Sequence, residues 1–289
     1  MKPVTSTSDI AFGTNSRKHR LGLSVAARNF DGLPLRETLV RIAAIGFDTC
    51  DNFDWRDAPL FEEYRALLPE LGLAAGVLVV NKVPDVNALG CSLVDQKDCA
   101  GFLRELRLCI DAARQVGCTR LEVLTGNALP DVARSVQMDN CVATLKEAAP
   151  LLESNGMTAI VELLNSNVDH PGYFLNTVED GMEMIRRVGS ANVKLLFDIY
   201  HVQVMQGNIT ERIRDSYSYT GQYHFADVPG RHEPGTGEIN FRNVFKAIHD
   251  LNYKGFITAE YHPTDATLSD LETVRDLATF KPENKIQDL

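Results

Sequence analysis

The 289-residue chain contains no apolar run close to the ~18–20 residues that a membrane span requires. Its first twenty residues, MKPVTSTSDIAFGTNSRKHR, are polar and rich in Ser and Thr, and they hold no apolar core of the kind an export signal carries. They are expected to form a loose leader (1–20) ahead of one domain at 21–289, in a cytoplasmic protein. Basic residues are in deficit, 29 Lys and Arg against 39 Asp and Glu, for a net charge of -10. Such a surface repels phosphate backbones and anionic lipids, so neither nucleic acid nor membrane is expected as a partner. The six cysteines form no CxxC pair, which argues for reduced thiols and against structural zinc. The first strand-like segment, LSVAARNFDG, lacks the GxGxxG turn that a dinucleotide-binding open sheet needs.

What is present is a rhythm. The segments 35–46, 99–117, 141–156 and 241–252 carry apolar residues at helical period. The stretches IGFDTCD, VGCTRLEVL, NGMTAIVELL and YKGFITAEY each read as a helix-stopping glycine, a short apolar strand and a polar end. Strands are predicted near 21–26, 47–51, 73–80, 120–125, 158–164, 193–199, 223–228 and 255–261, with helices between them. Continuously apolar runs such as AGVLVV and VKLLFD suit parallel strands covered on both faces. Eight alternations in one chain of this length predict an α/β fold, a single-domain (β/α)8 TIM barrel.

In such barrels chemistry sits at the carboxyl ends of the strands. The last four predicted strands each bring an acid or imidazole there: Glu162, then Asp198 with His201, then His224 with Asp227, then Glu260 with His262. One buried acid is as readily an ion pair or a cap as a ligand. Three packed together repel unless a cation sits among them. Glu162, Asp198, His224 and Glu260 therefore form a candidate site for a divalent metal. The donor set suits Mn2+ or Mg2+, with Co2+ or Zn2+ as alternatives. His201 is expected to reach the same mouth, whereas Asp227 reads as a loop cap. His170, His232 and His249 read as solvated, and Cys50 and Cys118 as core fillers. The stretch VPGRHEPGTGEINF, with two prolines and three glycines, reads as a rigid turn. Its Arg231 either grips a substrate carboxylate or phosphate or pairs with a loop glutamate. A metal between Glu162 and Glu260 could hold two neighbouring oxygens of a hydroxy-carbonyl compound and acidify the adjacent C–H. Isomerisation, epimerisation and metal-assisted hydrolysis all remain open to these residues.

The runs VELLNS…HPGYFLNT, FDIYHVQVMQGNI, YHFADVPGRHEPGTGEINF and GFITAEYHP resemble the hydroxypyruvate isomerase family of the xylose isomerase-like superfamily, over about 158–263. The resemblance implies that Glu162, Asp198, His224 and Glu260 ligate the metal. It also implies that Glu162 and Glu260 are the catalytic proton-transferring pair and that His201 and Arg231 bind substrate. The implied reaction is an aldose–ketose type isomerisation of a short hydroxy-oxo acid. Hydroxypyruvate/tartronate semialdehyde or a 2-oxo-tetronate would be the substrate, with proton transfer through a metal-bound cis-enediolate, in a homodimer or homotetramer. A ketose 3-epimerase is the alternative. It is favoured by His224, where hydroxypyruvate isomerases usually have Gln, and opposed by the signature loop. Departures also occur at EYHP in place of EYKP, at both early strand ends, and at NKVPDVNALGCSLVDQ, where a GDW segment is expected. An abasic-site endonuclease would need more histidines and a basic face. A non-catalytic sugar-acid binder would not need both glutamates.

Overall fold

Glycines 46, 117 and 156 end helices in the left-handed conformation, as the rhythm predicts. The computed structural model describes residues 19–26, 33–52, 54–81, 86–264 and 269–280. The leader expected at 1–20 lies almost entirely outside them. The strands are β1 (Gly22–Ala26), β2 (Thr49–Asn52), β3 (Ala74–Val79), β4 (Arg120–Val123), β5 (Thr158–Glu162), β6 (Val193–Asp198), β7 (Thr220–Phe225) and β8 (Phe256–Ala259). All pair in parallel with their sequence neighbours, and β8 returns to β1 to close a barrel. Outside run α1 (Leu35–Ile45), α2 (Ala58–Leu71), α3 (Cys99–Val116), α4 (Arg134–Asn155), α5 (Val178–Val188), α6 (Ile199–Met205), α7 (Ile209–Ser216), α8 (Phe241–Asp250) and α9 (Ser269–Leu277). This is the predicted (β/α)8 architecture. Among the described residues no helix is long and apolar enough to cross a membrane.

Among the differences from the sequence reading, three have an identifiable physical reason. Strand β7 starts at Thr220, ahead of the predicted 223, because Thr220 and Gln222 extend the ladder with β6 through a register shift that an apolar pattern does not mark. Helix α4 starts at Arg134, ahead of 141. Its first turns are polar, and buried Gln137 turns back to bond Leu129 and Val132 of the preceding loop. Gly255 does not stop α8. Asn252 takes the left-handed conformation there (φ 60).

Along each strand alternate side chains face opposite ways. Leu121, Val123, Val161, Leu195, Phe197, Tyr223, Phe225 and Ile257 belong to one continuous core with the helices. Burying each large side chain contributes roughly 1.5–3 kcal/mol. The complementary set lines the barrel interior. A small apolar cluster of Val77, Ile160 and Leu196 forms part of it. Ala26 and Val79 form a further apolar pair, and the remainder is polar: Ser24, Asp51, Glu122, Glu162, Asp198, Gln222, His224, Thr258 and Glu260, all buried. The helix-facing core thus carries the stability and leaves the interior free to hold charge.

A candidate metal centre and active site

The ladder register brings the four proposed ligands together. Asp198 and His224 are direct Cα partners across β6 and β7. Glu162 ends β5 opposite Leu196 of β6. Glu260 follows β8, and its N–H bonds the Phe225 carbonyl at 3.0 Å, continuing the β7–β8 ladder. Glu162, Asp198, His224 and Glu260 each offer one ligand atom, and these atoms lie within 4.8 Å of one another. His224 is fully buried, and the three acids are at most 4% exposed. His224 Nδ1 sits between the glutamates, 2.9 Å from Glu260 Oε2 and 4.0 Å from Glu162 Oε1.

Asp198 divides its two oxygens between structure and site. Oδ1 caps α6, accepting the N–H groups of Tyr200 (2.8 Å) and His201 (3.2 Å). Oδ2 is buried without a hydrogen-bond partner among the described residues. Burial pushes the Asp198 carboxyl up to about 6, against the charge of Arg231 and the two cap bonds. Three converging acids, one imidazole and a buried orphan oxygen are the donor set a hard or borderline divalent cation takes, so the residues fit a metal.

His201 is 1% exposed, and its tautomer follows from Asn165. Asn165 Oδ1 accepts the N–H groups of Val168 and Asp169, each at 2.9 Å, which fixes the amide orientation. Its Nδ2 then faces His201 Nδ1 at 2.7 Å, and its backbone N–H reaches the same nitrogen at 3.2 Å. A nitrogen that accepts two donors carries no proton, so the proton resides on Nε2. Nε2 lies 3.6 Å from Asp198 Oδ2, at the edge of the acid cluster. The rings of Tyr200 and His170 pack on His201 at 5.1 and 5.3 Å. His170, expected to be solvated, is instead half-buried against the site.

Arg231 adopts a left-handed backbone (φ 58), and its side chain is largely buried. Its Nη2 lies 3.2 Å from Glu260 Oε1, and the guanidinium carbon lies 5.4 Å from the Tyr200 ring centre. The alternative of a loop ion pair is not what forms: Glu233 binds Thr264, and Glu238 binds Gln203. The turn is held by Asp227. Its Oδ1 accepts from Val228 (2.9 Å) and Ile239 (3.1 Å), and its Oδ2 from Gly235 and Gly237 (both 2.9 Å). Asp227 is therefore the loop cap the sequence suggested. Asp227→Ala is expected to lower unfolding free energy by about 2–3 kcal/mol, read from urea denaturation, since it strips one carboxylate from four amides. His262 joins the same loop through its backbone, donating to the Arg231 carbonyl at 2.8 Å and accepting from His232 Nδ1 at 2.6 Å. His232 and His249 are half-buried, the latter 4.4 Å from the Phe280 ring centre. Cys50 and Cys118 are buried core residues, as expected.

Three polar residues near the site escape a reading of the last four strands. Asp51 at β2 reaches His224 Nε2 at 3.6 Å. Glu122 on β4 is only 6% exposed. Asn165 sets the His201 tautomer. IGFDTCD and VGCTRLEVL both signal a polar strand end. Nothing in them says which barrel residue lies opposite.

Sequence and structure comparisons identify the family and the fold. The family described as "Xylose isomerase-like TIM barrel" matches residues 39–277. A Danio rerio protein named "Putative hydroxypyruvate isomerase" is 35% identical over 254 residues, covering 85% of this chain and 91% of its own. A 2-oxo-tetronate isomerase of Cupriavidus necator is 33% identical over 172 residues, covering 60% of this chain and 66% of its own. Among solved structures, one titled AP endonuclease, family 2, from Brucella melitensis superposes with a TM-score of 0.79 at 24% identity. It covers 89% of this chain and all of that one, and at this identity the likeness speaks to fold. The chain belongs to the xylose isomerase-like TIM barrel family, as an isomerase related to the hydroxypyruvate and 2-oxo-tetronate isomerases.

Proposed function

We propose that the protein interconverts a short 3-hydroxy-2-oxo acid and its 2-hydroxy-3-oxo isomer, of the hydroxypyruvate/tartronate semialdehyde or 2-oxo-tetronate type, with Glu162 and Glu260 moving the proton. The convergence of Glu162, Asp198, His224 and Glu260 at the carboxyl ends of β5–β8 carries this reading. These four residues would hold the cation, Mn2+ or Mg2+ by donor type. When bound, it would polarise the carbonyl and lower the pKa of the adjacent C–H.

The remaining roles belong to the chain itself. The two glutamates come from β5 and the end of β8, on either side of His224 Nδ1, so a substrate bound among these groups is flanked by both. One carboxylate removes the proton from the hydroxyl-bearing carbon, leaving the planar enediolate of the substrate. Return of a proton to the neighbouring carbon, with the hydroxyl proton passing to the other oxygen, completes the isomerisation without net loss of atoms or charge. His201 Nε2–H is the neutral donor available to a substrate oxygen. Arg231 supplies the bidentate cation that a carboxylate end requires.

The test is product identification. The purified protein with Mn2+ or Mg2+ is expected to convert hydroxypyruvate or a 2-oxo-tetronate to the isomeric aldehyde or ketone, with solvent deuterium entering at carbon. Epimerisation of fructose or tagatose, with no turnover of the acids, would transfer the site to the 3-epimerase reading that His224 favours. Arg231→Ala is expected to raise KM for an acid substrate about 10- to 100-fold, from the loss of a charge-assisted contact. Steady-state kinetics check this. An unchanged KM would leave Arg231 with only its contacts to Glu260 and the Tyr200 ring.

A further inference from the structure

We infer that Asp51, on β2, is a positioning residue for the metal centre: its carboxylate faces His224 Nε2, keeps the ring proton on that nitrogen and so leaves the Nδ1 lone pair to the cation. The inference rests on the proposed metal site and adds to it a residue from beyond the barrel's closing seam, on β2. His224 presents Nδ1 to the two glutamates, 2.9 and 4.0 Å away, and Nε2 to Asp51 Oδ2 at 3.6 Å. A neutral imidazole holds one proton. A cation at Nδ1 requires that nitrogen's lone pair, so the proton must reside on Nε2, facing Asp51. A carboxylate behind a ligating imidazole fixes the tautomer and raises ligand basicity.

The surroundings of Asp51 are built for one orientation. Oδ1 accepts the Ser24 hydroxyl at 2.6 Å and the Val77 N–H at 3.0 Å. Oδ2, buried without a hydrogen-bond partner among the described residues, is left to face the histidine. Gly76 supplies the space, since a Cβ there would fall 1.8 Å from Oδ1. The other groups around this carboxylate are the Thr258 hydroxyl and, at longer range, the Arg120 guanidinium. Thr258 Oγ1 is engaged by the Gln222 amide at 3.0 Å.

Asp51→Asn tests the inference with almost no change of shape. The Val77 N–H selects the amide oxygen, so the NH2 group takes the place of Oδ2 and meets Nε2 donor to donor. His224 is then driven to the Nδ1–H tautomer, the wrong one for a ligand. The expected result is a 10- to 100-fold rise in the Mn2+ dissociation constant by titration calorimetry. The melting temperature of chelator-treated protein should stay near the wild-type value. Nitrogen-15 NMR of the Mg2+-loaded wild type gives a readout that needs no variant, and His224 should carry its proton on Nε2. Wild-type Mn2+ affinity in the variant, or a proton on Nδ1 in the loaded wild type, would overturn the role of Asp51 and leave the metal centre standing. Failure of the wild type to bind Mn2+ at one equivalent would overturn both.

Discussion

Glu260→Gln is expected to lower kcat by about 100- to 10,000-fold, the usual contribution of a positioned acid or base. The substitution keeps the side chain's length and an oxygen that can face a cation. It removes the ability to accept a proton. Arg231 Nη2, 3.2 Å from Glu260 Oε1, would keep an oxygen to bond. The fold should be unaffected, because the backbone N–H at 260 keeps its bond to the Phe225 carbonyl and the side chain remains of the same size beside His224 and Arg231. Two readings separate chemistry from binding: the rate at which substrate C–H exchanges with deuterated solvent, and the Mn2+ affinity. Exchange should collapse with turnover, while affinity falls far less. A variant that exchanged at the wild-type rate would remove Glu260 from the proton path.

Loss of the cation is expected to have an effect at least as large. Dialysis against a chelator should reduce turnover to background, and Mn2+ or Mg2+ should restore it, because polarising a carbonyl accounts for several kcal/mol of transition-state stabilisation. Asp198→Asn reaches the same state by a route that spares the helix. Oδ1 of Asp198 caps α6 while Oδ2 faces the cluster. In the variant, the Tyr200 and His201 N–H groups hold the new amide oxygen on the cap side, and the NH2 group, a donor, replaces the ligand oxygen. Metal affinity should fall sharply with little change in melting temperature. Activity that survives both chelation and Asp198→Asn would assign the acid cluster to something other than a cation site.

The legible part of the site was the part that violates its own context. Glu162 in TAIVELL, Asp198 in VKLLFD and Glu260 in FITAEY interrupt apolar strands, and an ionised acid there is costly unless something compensates it. Period and length place such residues at one end of one barrel. The partners that refine them are set by closure. Asp51 meets His224 because closure of β8 onto β1 brings the ends of β2 and β7 to the same interior, a relation with no local trace. Asn165 controls His201 through an amide whose orientation depends on two loop N–H groups. The start of β7 at Thr220 was hidden for a related reason, since polar Thr220 and Gln222 pair with β6 through a register shift.

Asp227 draws four amides of the turn after β7 onto one buried carboxylate, with Arg231 mounted on that turn. On the proposed reading, an incoming acid would therefore meet a guanidinium already in place, with little chain freedom left to surrender there on binding. With four amides tied to one carboxylate, this flank of the mouth is built as a wall instead of a door.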